Sequence, residues 1–125
     1  MPIREGAVVR AKKIKCVILD VDGVLTDGGI YAAPDGSELF KPFFARDGLA
    51  VSLARKVGLT TAIITGRASS IVANRAQELH IDLVYQGCLD KRASYADIRK
   101  KTGFTDEEIA YVGDDIVDLP IMRQV

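Results

Sequence analysis

Apolar and polar positions follow two alternating patterns along the chain. Short runs rich in apolar residues occur at 15–20, 59–64, 83–85 and 109–112. Runs of this length, bounded by turn residues, are typical of strands that are buried on both faces of a parallel sheet. We therefore predict four strands, of which the third is the shortest and is ended by Gly87.

The segments between these runs have the spacing of helices. In the first segment Asp47 is a candidate N-cap, and Gly58 is a stop signal. Its apolar positions recur at i, i+3, i+4 and i+7, as expected for an amphipathic helix: Ala50, Leu53, Ala54 and Val57. Further helices are predicted at 69–79, at 90–101 and from about Asp115, while a capping box at 105–108 opens a single turn.

This alternation of strands and helices predicts the α/β fold class. The expected architecture is a doubly wound, Rossmann-like parallel sheet with helices on both faces. Residues 25–45 depart from the pattern, because the turn Pro34-Asp-Gly36 is flanked by Ile30-Tyr31 and Leu39-Phe40. This arrangement indicates a β-hairpin inserted after the first strand. Its exposed aromatic side chains would need cover, most simply from another subunit.

Composition is that of an ordinary globular domain. Of the 125 residues 48% are hydrophobic and 27% are charged, with 17 basic and 17 acidic side chains. A net charge of zero argues against nucleic acid or an anionic membrane as the main partner. No apolar run is long enough to span a membrane. The basic start of the chain lacks the apolar segment of a secretory signal, and nothing about the two cysteines suggests a disulfide framework. We expect a cytoplasmic protein with a lead-in at 1–14 and one domain at 15–125.

Side chains suited to chemistry follow the predicted strands. In chain order they are Asp20, Asp22, Thr65, Lys91, Asp114 and Asp115. Because the carboxyl ends of parallel strands meet at one edge of a sheet, we expect these groups to converge. Crowded carboxylates raise one another's pKa unless a cation holds them, and hard oxygen ligands favour Mg²⁺. Together the groups predict phosphoryl transfer, in which a carboxylate attacks phosphorus while Thr65 and Lys91 hold the phosphoryl oxygens.

Each motif alone also has a plainer interpretation. Asp20-Val-Asp22-Gly23 is compatible with a solvated turn, Thr65-Gly66 is a common strand exit, and a lone lysine such as Lys91 is usually solvated. A calcium loop is excluded by the residues at its fifth, sixth and twelfth positions, Val24, Leu25 and Tyr31. His80 is the only histidine and is expected at the surface or a helix end, which leaves no plausible Ser-His-Asp or Cys-His arrangement.

Four segments, in order and in register, resemble the motifs of the haloacid dehalogenase superfamily: DVDGVLTDGG (20–29), ITGR (64–67), Lys91 and YVGDDIVD (111–118). The similarity is greatest to its capless subgroup, the 3-deoxy-D-manno-octulosonate 8-phosphate phosphatases. It implies a domain without a cap, Mg²⁺ as cofactor, an aspartyl-phosphate intermediate and a homotetramer in which neighbouring subunits close each site. Since the family continues with a further strand, a helix and a tail, 15–125 is expected to be a C-terminally incomplete domain.

The resemblance also implies a role for each matching residue. Asp20 would be the nucleophile, and Asp22 would be the general acid/base and would lend its backbone carbonyl to the metal. The implied Mg²⁺ ligands are Asp20, Asp22 and Asp114. Asp115 and Asp118 would support them. The residues implied to bind the phosphoryl group are Thr65, Gly66 and Lys91.

The implied substrate is the eight-carbon sugar acid phosphate of lipopolysaccharide synthesis. A sister family that acts on a nine-carbon deoxynonulosonate phosphate, and related domains of the acylneuraminate pathway, stay as alternatives. The residues that resemble substrate contacts of the octulosonate group are Arg46, Asp47, Gly48, Arg67 and Arg75. Glu78 also suits this group, since the sister family carries lysine there, whereas Ser52 departs from the family pattern, which has arginine.

Two alternatives come from other functional classes. A phospho-receiver module has a similar sheet and the same set of acids, but its acceptor aspartate lies in mid-chain, whereas here the Asp-x-Asp comes first and the adjacent pair comes last. A non-catalytic descendant, kept as an oligomerisation or regulatory domain, is the other alternative. Repeated release of phosphate would distinguish an enzyme from both.

Overall fold

A parallel sheet forms the centre of the computed structural model, which describes Arg4 and residues 6–125. The strands are β1 (Cys16–Leu19), β2 (Tyr31–Ala32), β3 (Glu38–Phe40), β4 (Thr60–Ile64), β5 (Leu83–Tyr85) and β6 (Ile109–Val112). The helices are α1 (Ala7–Ala11), α2 (Ala45–Lys56), α3 (Ser70–Glu78), α4 (Lys91–Thr102) and α5 (Leu119–Met122). Four strands pair in parallel in the order β5-β4-β1-β6, which confirms the predicted doubly wound α/β fold.

Two hydrophobic clusters pack on the sheet. One contains Ile18 of β1 and Ile64 of β4 together with Ile98 of α4 and Ile121 of α5, all fully buried. The other joins Ile63 of β4 to residues of α3 and of the segment after β1: Val21, Leu25, Val72 and Ala76. Within β1, Cys16 and Ile18 on one face are fully buried, whereas Val17 and Leu19 on the other face are only partly buried. The prediction of burial on both faces therefore holds fully for one face only.

Helix α2 is rotated from the orientation that its sequence predicts. It begins at Ala45 with Phe44 as N-cap, so Asp47 lies in the first turn and the prediction that Asp47 is the cap was wrong. The predicted apolar face is also wrong, because Leu53 is 52% exposed and Val57 76% exposed, whereas Gly48 and Val51 are buried.

Gly48, on the buried side of α2, lies close to side chains of α3 and its C-cap. A Cβ atom at Gly48 would lie 2.7 Å from the guanidinium Nη2 of Arg75 and 3.2 Å from Leu79 Cδ2. The buried side of α2 thus carries a glycine where the Arg75 guanidinium approaches, and tertiary packing, which the apolar periodicity does not contain, accompanies its orientation.

The predicted hairpin is present but short. Only Tyr31–Ala32 and Glu38–Phe40 pair, and the rings of Tyr31 and Phe40 stack with centroids 4.4 Å apart. Leu39 and Phe40 are at least half exposed, as predicted for side chains in need of cover.

The chain ends show two smaller differences in helix content. Helix α1 lies inside the expected lead-in, whose residues 1–3 and 5 are outside the described part of the chain. The last predicted helix begins as a 3₁₀ turn, Ile116–Asp118, and continues as α5. None of the helices in the described residues has the length and apolar character needed to cross a membrane.

Candidate active site

The carboxyl end of β1 places Asp20 at the centre of the site. Its side chain is nearly buried, and Oδ1 accepts a 2.7 Å hydrogen bond from the Val21 amide. Burial raises the pKa of Asp20 above its usual value, against the opposing effects of the Val21 amide and the Lys91 ammonium. A partner cation that offsets this burial would favour the ionised, nucleophilic form.

Three carboxylates meet beside this strand end. One oxygen from each of Asp20, Asp114 and Asp118 lies within 4.8 Å of the others. Hard carboxylate oxygens at this spacing are a suitable ligand set for a divalent cation such as Mg²⁺. Gly23 makes the arrangement possible: its φ is +84°, and a Cβ there would lie 1.8 Å from Asp114 Oδ2.

Asp118 is the best satisfied of the three carboxylates. It is fully buried, and four donors surround its two oxygens: Lys91 Nζ at 2.6 Å, Tyr111 Oη at 2.6 Å, and the amides of Asp114 and Asp115 at 3.1 and 3.2 Å. Burial opposes its ionisation, but the hydrogen bonds from Lys91 and Tyr111 outweigh burial and hold the pKa of Asp118 below its usual value. Each Asp118 oxygen thus has two donors, whereas each Asp20 oxygen has one, the Val21 amide on Oδ1 and Lys91 Nζ on Oδ2. Asp118 therefore orients the site, while Asp20 keeps lone pairs for a further partner.

Lys91, the first residue of α4, is a buried cation in this cluster. Only 3% of the residue is exposed, and its Nζ lies 2.6 Å from Asp118 Oδ1 and 3.0 Å from Asp20 Oδ2. Desolvation alone would lower the pKa of Lys91, but the hydrogen bonds to Asp118 and Asp20 raise it above the usual value. The site therefore holds a fixed positive charge next to the Asp20 carboxylate, where a phosphoryl group would approach.

The remaining motif residues line one cleft of about 290 Å³. Thr65, at the end of β4, is buried, and its main chain is fixed by the Tyr85 carbonyl and the Cys88 amide at 2.9 and 3.0 Å. The predicted site residues on the walls of the cleft are Asp20, Asp22, Thr65, Gly66, Arg67, Lys91, Asp114 and Asp115. The structure thus brings together groups from four strand ends, as the sequence predicted. The carboxylate of Asp115 points elsewhere and caps its own 3₁₀ turn through the Ile116 amide.

The residues predicted to contact sugar are not all brought together. Gly48 and Arg75 line a second cavity of about 680 Å³, together with Ser52 and Glu78. There the Arg75 guanidinium donates to Glu78 at 2.9 Å. Arg67 instead lines the first cleft, and Asp47 faces an apolar cavity between α2 and the sheet. Arg46 is exposed and lines none of these three cavities.

Two residues of the site, Lys41 and Tyr111, were missed in the sequence. Lys41 is almost completely buried and pairs with Asp22 at 2.5 Å and with Glu38 at 3.0 Å. Tyr111, in the middle of β6, donates to Asp118. Two signals could have found them: a lysine at 41 among apolar and aromatic neighbours, and a tyrosine in a buried strand, whose hydroxyl needs a partner.

Comparison with curated proteins finds a close relative over nearly the whole chain. The chain is 41% identical over 124 residues to the 3-deoxy-D-manno-octulosonate 8-phosphate phosphatase KdsC of Escherichia coli K12. The match covers 99% of this chain and 65% of that protein, so the chain spans about two-thirds of the relative's length. No protein-family model matches the chain.

Solved structures of similar proteins have the same fold. The crystal structure of the phosphatase of that name from Yersinia pestis superposes with a TM-score of 0.95 at 40% identity, covering 99% of this chain and 66% of that one. The corresponding phosphatase from Moraxella catarrhalis, in complex with a magnesium ion, a phosphate ion and a KDO molecule, gives a TM-score of 0.91 at 39% identity. That match covers 98% of this chain and 70% of the other.

Proposed function

Because this chain belongs to the 3-deoxy-D-manno-octulosonate 8-phosphate phosphatase family of the haloacid dehalogenase superfamily, we propose that it removes the phosphate from that eight-carbon sugar acid. The observation that carries the proposal is the buried Lys91, which joins Asp20 to Asp118 beside a cluster of carboxylate oxygens. A buried ammonium next to a nucleophilic carboxylate is suited to hold an anionic phosphoryl group.

The proposed reaction divides hydrolysis into two steps. The Asp20 carboxylate attacks phosphorus and forms an aspartyl-phosphate, while the bond from phosphorus to the sugar oxygen breaks and Asp22 gives that oxygen a proton. Water then attacks the phosphorus of the aspartyl-phosphate and gives a proton to Asp22, and the bond from phosphorus to Asp20 breaks. This step releases inorganic phosphate and restores the Asp20 carboxylate and the protonated Asp22 with which the cycle began. Thr65 and Lys91 hold the phosphoryl oxygens throughout, because both flank Asp20 in the cleft.

The donor set fits Mg²⁺. Asp20 and Asp114 are proposed as the side-chain ligands, because Asp118 already has two donors on each oxygen, and the Asp22 main-chain carbonyl is proposed as the third protein ligand. When bound, Mg²⁺ supplies positive charge that neutralises the phosphoryl oxygens in the transition state. Asp118 is proposed to support the metal site through its hydrogen bonds to Lys91 and to the Asp114 amide.

The assembly and setting are proposed in the same way. We propose a homotetramer, as the family resemblance implies, and the exposed Leu39 and Phe40 support a contact between hairpins of neighbouring subunits. We place the protein in the cytoplasm, where its two free cysteines would stay reduced.

Phosphate release tests the function directly. With Mg²⁺ we expect strong preference for 3-deoxy-D-manno-octulosonate 8-phosphate over the nine-carbon analogue and over p-nitrophenyl phosphate. Preference for the nine-carbon compound would keep the mechanism and replace the substrate. Stable phosphorylation without turnover would indicate a receiver module, and no phosphorylation at all would indicate a non-catalytic domain.

Two variants and a chelator test the mechanism. Asp20→Asn and excess EDTA should each abolish turnover and leave the circular dichroism spectrum unchanged, because neither removes packed apolar surface. Lys91→Ala should lower both the apparent affinity for substrate and the turnover number. Unchanged hydrolysis in Asp20→Asn would refute the covalent mechanism.

A further inference from the structure

Lys41 lies where the hairpin returns to the sheet, and no catalytic role described above uses it. It directly follows β3, and its side chain is only 4% exposed. Its Nζ lies 2.5 Å from Asp22 Oδ1 and 3.0 Å from Glu38 Oε1. Burying an ammonium is costly unless carboxylates pair with it, so this position requires both partners.

The Asp22 carboxylate depends on this contact for its orientation. Asp22 follows the end of β1, its side chain is 23% exposed, and it lines the cleft that contains Asp20. Among the described residues, Lys41 is the side chain that hydrogen-bonds to it. A proton donor must lie within hydrogen-bond distance of the leaving oxygen, so a freely rotating carboxylate would be a poor acid.

Glu38 in turn fixes Lys41. It lies three residues earlier, within β3, whose pairing with β2 sets its direction. Burial opposes ionisation of Glu38, but Ser69 and the Lys41 ammonium outweigh it and hold the pKa of Glu38 below its usual value. The hairpin is therefore linked to the loop after β1 through the contacts of Lys41 with Glu38 and Asp22.

We propose that Lys41 is a positioning residue, which holds the Asp22 carboxylate where it exchanges a proton with the leaving oxygen, and that Glu38 holds Lys41 in place. The proposal rests on the proposed phosphatase function. It assigns to the hairpin a part in the chemistry of its own subunit, in addition to any contact between subunits.

The dependence of rate on the leaving group separates this role from a structural one. The alkoxide of a sugar phosphate needs a proton as it leaves, whereas p-nitrophenolate does not. The ratio kcat/KM reports steps up to the first irreversible one, which is cleavage of the bond to the leaving group. Loss of Asp22 positioning should therefore lower kcat/KM for the sugar phosphate and spare kcat/KM for p-nitrophenyl phosphate.

The variants for this test are Lys41→Met, Lys41→Arg, Glu38→Gln and Lys13→Met. In Lys41→Met we expect kcat/KM for the sugar phosphate to fall about 10- to 100-fold, part of what general acid catalysis contributes, with little change for the aryl phosphate. Lys41→Arg keeps the charge and the donors and should recover most of the loss, and Glu38→Gln should show the same pattern more weakly. Lys13 forms an exposed ion pair with Glu107 at 3.2 Å, so Lys13→Met is the control and should change neither substrate.

Each outcome decides between the two claims. An equal loss on both substrates, or no loss in Lys41→Met, overturns the inference while the active parent protein upholds the proposed function. If Lys41→Met does not fold, as judged by circular dichroism, Glu38→Gln provides the same comparison, and an equal loss there overturns the inference. A parent protein without activity on either substrate overturns the proposed function and this inference with it.

Discussion

Replacing the Asp118 carboxylate by an amide of the same shape is a direct test of how the site is held together. Asp118 is fully buried and accepts hydrogen bonds from four donors: Lys91, Tyr111 and the amides of Asp114 and Asp115. A carboxylate can accept at both oxygens, whereas an Asn side chain accepts at one atom and donates at the other. Asp118→Asn therefore changes the hydrogen-bonding capacity of the position and almost nothing of its volume.

The size of the effect follows from this geometry. If the Asn oxygen accepts from Lys91 and Tyr111, the Asn NH₂ group faces the two backbone amides, which are also donors. In the reverse orientation the oxygen accepts from the amides, and the NH₂ group faces the donors of Lys91 and Tyr111. Either way two hydrogen bonds are lost, and each bond to a charged group contributes about 1.5–3 kcal/mol. We expect the free energy of unfolding to fall by about 3–5 kcal/mol, in line with breaking a buried ion pair. This is a large fraction of the roughly 5–15 kcal/mol typical of a domain.

Urea unfolding followed by circular dichroism, with EDTA present so that metal binding does not contribute, measures this change. Asp97→Asn is a matched control, because Asp97 also accepts from a tyrosine and a lysine, Tyr85 Oη at 2.6 Å and Lys101 Nζ at 3.0 Å, but at the surface. Exposed pairs contribute little, so the control should unfold nearly as the parent does. Equal losses in the two variants would refute the reasoning, because burial would then not distinguish the sites.

Three further predictions concern the glycine at the site, the cysteine in the cleft and the hairpin. Gly23→Ala should lower activity about 100-fold, because the added Cβ displaces Asp114. Gly36 has the same φ of +84° but no atom within 4 Å of its Cβ, so Gly36→Ala is the control and should stay active. Comparable losses of activity in the two variants would contradict the prediction. Inorganic phosphate with Mg²⁺ should slow labelling of Cys88, which lines the cleft, by an aromatic disulfide reagent, and an unchanged rate would place phosphate elsewhere. Phe40→Ser should shift sedimentation toward smaller species, and an unchanged mass would exclude the hairpin from the subunit interface.

The sheet could be predicted from the sequence because short apolar runs bounded by turn residues are typical of buried strands. The run at 59–64 became β4, and that at 109–112 became β6, almost residue for residue. The convergence of the acids could be predicted for a related reason. Parallel strands point their carboxyl ends to one edge, so Asp20 and Asp114 had to approach each other although 93 residues separate them.

The orientation of α2 and the partners of Lys41 could not be predicted, since both depend on tertiary distances. Helical periodicity predicted an apolar face of α2 that includes Leu53 and Val57, but the folded helix buries Gly48 and Val51, with Gly48 close to Arg75. Likewise a lysine in a hairpin is usually solvated, and only the folded chain shows that Asp22 lies 2.5 Å from it. Local pattern therefore predicts elements better than it predicts which polar groups are buried together.

Charge balance explains why two buried lysines do not complete this site. The network that joins the strand ends to the hairpin consists of Asp20, Asp22, Glu38, Asp114, Asp118, Lys41 and Lys91. Two ammonium groups thus face five carboxylates, and when Arg67 and Asp115 of the cleft are added an excess of three negative charges is left. A phosphate dianion would meet net repulsion there, which a divalent cation reduces. Protection of Cys88 by phosphate should therefore require Mg²⁺. The two lysines orient the carboxylates, and the divalent cation neutralises most of the excess negative charge that would otherwise repel the anion.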